Sequence, residues 1–209
     1  ASRNELYFPW IQDTIISSAE VMIVDALKKE ATYTIENIYA LPDGERAELI
    51  DGKIYYMAPP SKTHQKISGR LYQTIAKYID GKGGKCEIYA APFAVFLNED
   101  DINYVEPDIS VICNPSKIDE QGCHGAPDWI IEIVSPGSKS RDYMTKLFKY
   151  RIAGVREYWI VDPEKQRVMV YGFENDTVEQ YDFEETVPVG IYEGFSIHMQ
   201  QFISFVTGR

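Results

Sequence analysis

Trp129-Ile-Ile-Glu-Ile-Val134 reads as an apolar strand that carries one carboxylate, Glu132, in its middle. Burying an ionised carboxylate without a partner costs several kcal/mol, so a fold tolerates it only beside a cation or good hydrogen bonds. Three arrangements meet that condition: a sheet edge facing water, a lysine partner, or a metal ion. The surroundings of Glu132 therefore carry the reading.

Pro107-Asp108-Ile-Ser-Val-Ile112 repeats the theme, with a carboxylate at the start of an apolar strand. Asp108 and Glu132 would together supply two hard oxygen ligands of the kind magnesium or manganese prefers. Asp128 is a rival, since alternation puts it on the same strand face as Glu132. Four residues of extended chain would hold those two backbones roughly 13 Å apart, whereas Asp108 on a neighbouring strand can come within about 5 Å. Asp108 is the better partner, and Asp128 reads as a turn residue or helper.

A basic residue should stand nearby. Position 134 is valine, so no lysine lies two residues beyond Glu132. Lys146 is the substitute, because a strand–loop–helix unit returns its helix across the sheet. It shares a helix face with Asp142 and Tyr150 at four-residue spacing. On periodicity alone it reads equally well as a surface lysine of an amphipathic helix. The preceding loop, Ser135-Pro-Gly-Ser-Lys-Ser140, leads to a helix N-terminus, where backbone N–H groups can hold a phosphate.

Outside this unit the pattern is regular. Thr34 caps a short helix through Ala40, and Glu48 to Met57 is a hairpin turning at Asp51-Gly52. Ser61 or Thr63 opens a helix with Ile67, Leu71, Ile75 and Ile79 at helical spacing, ending near Gly81. Strand-like runs cover Cys86–Leu97, Val105–Cys113 and Trp129–Val134. A helix from Ser138 or Ser140, with Tyr143, Leu147 and Tyr150 on one face, stops at Gly154. Glu157–Val161, Val168–Phe173 and Thr177–Phe183 are further strands, and Phe195, Ile197, Phe202 and Phe205 mark a closing strand and short helix. The core order is helix, three strands, helix, strand. That order is expected of an α/β (α+β) fold. Residues 31–205 form this domain and residues 1–30 a peripheral extension.

The chain has 209 residues, enough to bury a sizeable core. No apolar run approaches the roughly 20 residues that span a bilayer. Cys86, Cys113 and Cys123 are odd in number and form no CxxC pair, which argues against a zinc site or disulfide framework and for a reducing, cytoplasmic setting. Cys86 and Cys113 read as free core residues. The histidines at 64, 124 and 198 are scattered; His64, near the start of a basic helix, has two readings, a substrate contact and, the more common case, a polar group at a helix N-terminus. The net charge of −11 is unfavourable to nucleic acid, but its distribution is uneven. Residues 61–85 and 139–156 hold six basic residues each and one acid each, and from these Lys62, Lys66, Arg70, Lys139, Arg141 and Lys149 are the candidate phosphate contacts.

Glu48-Leu-Ile-Asp-Gly52, His64-Gln-Lys-Ile-Ser-Gly-Arg70, Ala91-Pro-Phe93, Pro107-Asp108, Gly125 to Pro136 and Ala153 to Pro163 resemble the Uma-type family, restriction-endonuclease-like proteins within the PD-(D/E)xK nuclease superfamily. The resemblance runs over roughly residues 31 to 205. It implies a restriction-endonuclease-like core with a mixed central sheet flanked by helices, a divalent metal, magnesium or manganese, and phosphodiester hydrolysis. Carried over by position, Asp108 and Glu132 are the acidic elements and metal ligands, joined by the backbone carbonyl of Ile133. Glu48 matches an additional acidic position on the metal side, and the lysine moves to Lys146. The function implied is a magnesium-dependent DNA endonuclease, with DNA as partner, no membrane, and a homodimer or higher homo-oligomer if both strands are cut. The alternative is an inactive nuclease-fold protein that serves as a nucleic-acid-binding or assembly module.

Overall fold

In the computed structural model, the structure describes residues 32–98, 100–138 and 141–207. The assignment of residues 1–30 as a peripheral extension and the Lys139 and Ser140 positions lie outside the described residues. Helix α1 (Ile35–Tyr39) is followed by a hairpin, β1 (Ala47–Ile50) and β2 (Lys53–Tyr56). The hairpin turns where expected: Asp51 and Gly52 both have positive φ, 50° and 70°, and such a turn matches the twist of paired strands. Helix α2 (Lys62–Lys82) begins at Ser61, whose side chain accepts the His64 N–H, and ends at Gly83 in a left-handed conformation. It buries Ile67, Leu71, Ile75 and Ile79, the stripe expected from their spacing.

Strands β3 (Glu87–Ala90), β4 (Val95–Phe96), β5 (Ile109–Ile112), β6 (Ile118–Asp119), β7 (Gly122–His124) and β8 (Trp129–Ile133) follow. A π-helical turn over Arg141–Lys146 then runs into α3 (Leu147–Ala153). Strands β9 (Glu157–Asp162), β10 (Arg167–Gly172), β11 (Thr177–Asp182), β12 (Thr186–Pro188) and β13 (Ser196–His198) lead to α4 (Ile203–Thr207).

The main sheet has the order β11-β10-β9-β8-β5-β3. Only its β8–β9 pair is parallel, and α3 lies in the crossover between those two strands. The expected mixed sheet with flanking helices is therefore the fold observed. Alternation divides β8 between two cores. Trp129, Ile131 and Ile133 pack with the α2 stripe, while Ile130 packs with Tyr150 of α3 on the other face. Glu132 shares the parity of Ile130 and so faces α3.

Three details differ from the sequence reading. The run Cys86–Leu97 is two strands in two sheets, because the chain leaves the main sheet at Ala91-Pro92, and proline cannot donate to a ladder. The β6–β7 hairpin, which pairs with β4, was not expected. Cys86 and Cys113 are not free: they form a disulfide, while Cys123 is a free, buried thiol. The β3–β5 register explains the correction. Glu87 pairs with Ile112, so the next position on each strand sets Cys86 across from Cys113. Among the described residues no helix is long and apolar enough to cross a membrane.

Candidate functional site

The β5–β8 register runs Val111↔Trp129, Ser110↔Ile130, Ile109↔Ile131. One step further, Asp108 stands across from Glu132, and its Oδ2 accepts the Ile133 N–H at 2.7 Å. Asp108 thus closes the ladder with its side chain at the point where the strands end. Asp128 is engaged elsewhere. Its Oδ2 accepts the Cys113 N–H at 2.7 Å and its Oδ1 faces Arg156 at 3.3 Å, at the other end of the strand from Glu132.

Lys146 reaches Glu132 from the π-helical turn that leads into α3. Its Nζ donates to Glu132 Oε1 and to Glu48 Oε1, both at 2.8 Å, with Asp142 Oδ1 3.8 Å away. One turn further on, Tyr150 donates its hydroxyl to the same Glu132 oxygen at 2.7 Å. Glu48 comes from β1, whose four residues are all buried and which is fastened by backbone hydrogen bonds between Leu49 and Tyr104. Its Oε1 also accepts the Glu106 N–H at 3.2 Å, and its Oε2 lies 3.7 Å from Arg141 Nε. The Arg141 guanidinium lies over the Tyr55 ring.

Asp142, Lys146 and Tyr150 are 2%, 3% and 0% exposed. The stripe turned inward is the polar one, and Tyr143 and Leu147 are only its half-buried flank. The π-helical turn, a local widening found often at functional sites, carries both Asp142 and Lys146.

His64 was not among the expected site residues. From the first turn of α2 its Nε2 lies 3.0 Å from Asp108 Oδ2. The signal was its position three residues before Ile67, in line with the buried stripe. These residues border a cleft of about 710 Å³, whose wall includes Glu48, Asp108, Glu132, Ile133, Arg141 and Lys146. Of the expected phosphate contacts among the described residues, only Arg141 lines it. Lys62, Lys66 and Arg70 are exposed on α2, with Lys66 over the Phe205 ring, and Lys149 pairs with Asp51 of the hairpin turn.

The electrostatics follow from burial. Desolvation raises Glu132 to about 8, the carboxylates of Asp142, Asp108 and Glu48 push the same way, and Lys146 opposes them. Burial works against the Lys146 ammonium, yet Glu132, Glu48 and Asp142 more than offset it and hold its pKa above the usual lysine range. Asp142 is raised by desolvation. Burial also opposes protonation of His64, but Asp108 and the Ile133 carbonyl raise it above the ordinary histidine value.

Six carboxylates (Glu48, Glu106, Asp108, Glu132, Asp142, Glu164) face the cleft against Arg46, Arg141 and Lys146. Among the described residues, Glu48 Oε2 and Asp142 Oδ1 are buried with no hydrogen-bond partner. Such an excess of hard oxygen donors suits a divalent cation. Among the described residues no three Asp, Glu, His or Cys side chains converge into a complete cage. That is compatible with magnesium, which is commonly held by one or two carboxylates, waters and substrate phosphates.

This strand glutamate, opposite an aspartate and bridged to a lysine that follows it, sits in a mixed α+β core. The chain is similar to a solved structure from Anabaena variabilis, described as "a putative nuclease belonging to DUF820". The TM-score is 0.68, with 83% of this chain and 98% of that one covered at 24% identity. At that identity the likeness is one of fold. It is also 29% identical over 133 residues to an uncharacterized protein of Synechocystis sp., spanning 63% of this chain and 68% of the relative. Residues 35–200 match the Uma2 family model, described as "Putative restriction endonuclease", and the chain belongs to that family.

Proposed function

We propose that this protein is a magnesium-dependent DNA endonuclease. The observation that supports this reading best is Lys146 Nζ at 2.8 Å from Glu132, opposite Asp108 at the rim of an acidic cleft. Asp108, Glu132 and the Ile133 carbonyl would hold the ion, with Glu48 beside them, and manganese would substitute. A bound divalent ion supplies Lewis acidity toward a phosphate and a more acidic water. Hydrolysis adds water to phosphorus and breaks one P–O bond, leaving a phosphate monoester and an alcohol.

The chain's own residues prepare that step. Lys146 holds positive charge beside Glu132 and offsets charge that develops on the phosphate. Tyr150 and Lys146 fix the Glu132 carboxylate through its Oε1. His64 and the Ile133 N–H orient Asp108 through its Oδ2. Arg141 presents a guanidinium to the phosphate backbone from the cleft wall.

One observation favours a second reading, a nuclease-fold protein that binds or assembles without cleaving. Lys146 is almost wholly buried and already satisfies two carboxylates, as a structural ion pair would. Incubation with supercoiled plasmid, linear duplex, single-stranded DNA and RNA, under magnesium and then manganese, separates the two. The endonuclease reading requires metal-dependent DNA cleavage that Glu132→Gln abolishes. Salt-sensitive DNA binding with no cleavage under either metal would establish the second reading.

A further inference from the structure

The helical segment from Arg141 to Ala153 has its amphipathic pattern inverted. Asp142, Lys146 and Tyr150 are buried, while Met144, Phe148 and Ile152, at the same four-residue spacing, are 70%, 62% and 63% exposed. An ordinary surface helix turns its apolar stripe inward and its charges outward. Here the polar stripe is committed to the carboxylate cluster, and the apolar one has no cover within the described chain. Met144 and Phe148 border a groove of about 500 Å³ whose other wall is Tyr171, Phe173 and Val178 of the β10–β11 hairpin. Val178 is itself 59% exposed. A contiguous apolar surface of this kind marks an interaction site far more often than scattered exposed residues do.

We propose that this surface is a self-association face, occupied by a second copy of the same chain. Two features select that occupant. The stripe is symmetric about Phe148. A two-fold axis beside Phe148 sets the two Phe148 rings together and places Met144 on Ile152 of the second copy, as an isologous contact requires. The charges at the groove are one of each sign, Arg151 and Asp176, which form an ion pair with each other. A second copy brings the same balanced pair, so its approach adds no net charge to the face. A polyanion would find a single cation there, cancelled by its neighbour. The face also adjoins β11, the outer strand of the main sheet among the described residues, whose edge a second copy would shield.

The face is the back of the segment that presents Lys146 and Tyr150 to Glu132. Association would brace that segment from outside, and it stands independently of whether the cleft hydrolyses DNA. The decisive quantity is the mass of the full chain in solution, by light scattering and sedimentation velocity, from low to high micromolar concentration. The wild type is expected at twice the chain mass of 23.9 kDa. Phe148→Glu is expected at one chain mass with an unchanged circular dichroism spectrum. Ile152→Lys, at the end of the stripe, provides a second disruption should Phe148→Glu fold poorly. A single-chain mass for the wild type across the range would overturn the proposal. So would a two-chain mass retained in folded Phe148→Glu and Ile152→Lys, which would place the contact elsewhere.

Discussion

Lys146 Nζ lies 2.8 Å from Glu132 Oε1, from a helix rather than from the strand that carries Glu132. Strand position 134 is a buried valine that packs in the core beside Tyr150 and Tyr158. The cation therefore enters across the sheet, on the face that alternation assigns to Glu132. It arrives fastened to Glu48 of the hairpin as well, 98 residues away in sequence, so three elements meet on one ammonium.

Removing that ammonium leaves three buried carboxylates facing each other. Lys146→Met keeps most of the side-chain volume and deletes the charge. Loss of one partner from a buried ion pair costs about 3–5 kcal/mol, and the urea midpoint should fall accordingly at an unchanged m-value. Manganese should restore part of the loss. An unchanged midpoint would show that the cluster is not held by Lys146.

Tyr150→Phe isolates a positioning role. The ring keeps its edge contact with Tyr158, while the hydroxyl donated to Glu132 disappears. A typical hydrogen bond contributes about 1 kcal/mol. Outer-shell partners of metal ligands alter affinity by roughly 10–100-fold. Manganese affinity should fall within that span with little change in the circular dichroism spectrum. Equal affinity in Tyr150→Phe and wild type would remove Tyr150 from the site.

Glu132 also predicts a pH dependence. Its proton is held to about 8 in the folded chain, against 4.5 for an ordinary glutamate. The folded state binds the extra proton between those values. Its contribution to stability is full below 4.5 and is lost as pH rises through 8. Stability measured without metal should thus decline over this window more steeply in wild type than in Glu132→Gln. Metal binding should strengthen over the same window and release protons, because ligands bind ionised. Calorimetry in buffers of different ionisation enthalpy measures that release, and its absence would contradict the raised carboxylate.

The basic residues separate by position. Arg141→Ala should weaken DNA binding and lower the salt slope by about one unit. Lys149→Ala should change neither much, since Lys149 lies outside the cleft and pairs with Asp51. The reverse order, read by fluorescence anisotropy over a salt series, would move the DNA path off the cleft.

Much of this arrangement was legible because each signal was local. A lone carboxylate in an apolar strand marked Glu132 wherever the strand went, and four-residue spacing tied Lys146 to Asp142 and Tyr150. Glu48 was reached through resemblance alone, because nothing within a hairpin says which distant helix its side chain will meet. The basic stretches were legible only in part, for a related reason. Charge content does not give direction, and burying Ile67, Leu71, Ile75 and Ile79 leaves Lys62, Lys66 and Arg70 exposed on α2, none of them lining the cleft. His64 escaped because its helix-start position and its reach to Asp108 are both real, and only the fold reveals the second. The Cys86–Cys113 pair depended on strand register, which spacing along one chain does not supply.

The central claim is that Asp108 and Glu132 hold a divalent ion. Manganese titrated calorimetrically into wild type, Asp108→Ala and Glu132→Ala tests it without knowledge of a DNA sequence. Saturable binding in wild type that disappears in both folded variants is the predicted result. Binding of undiminished strength in either variant would contradict it.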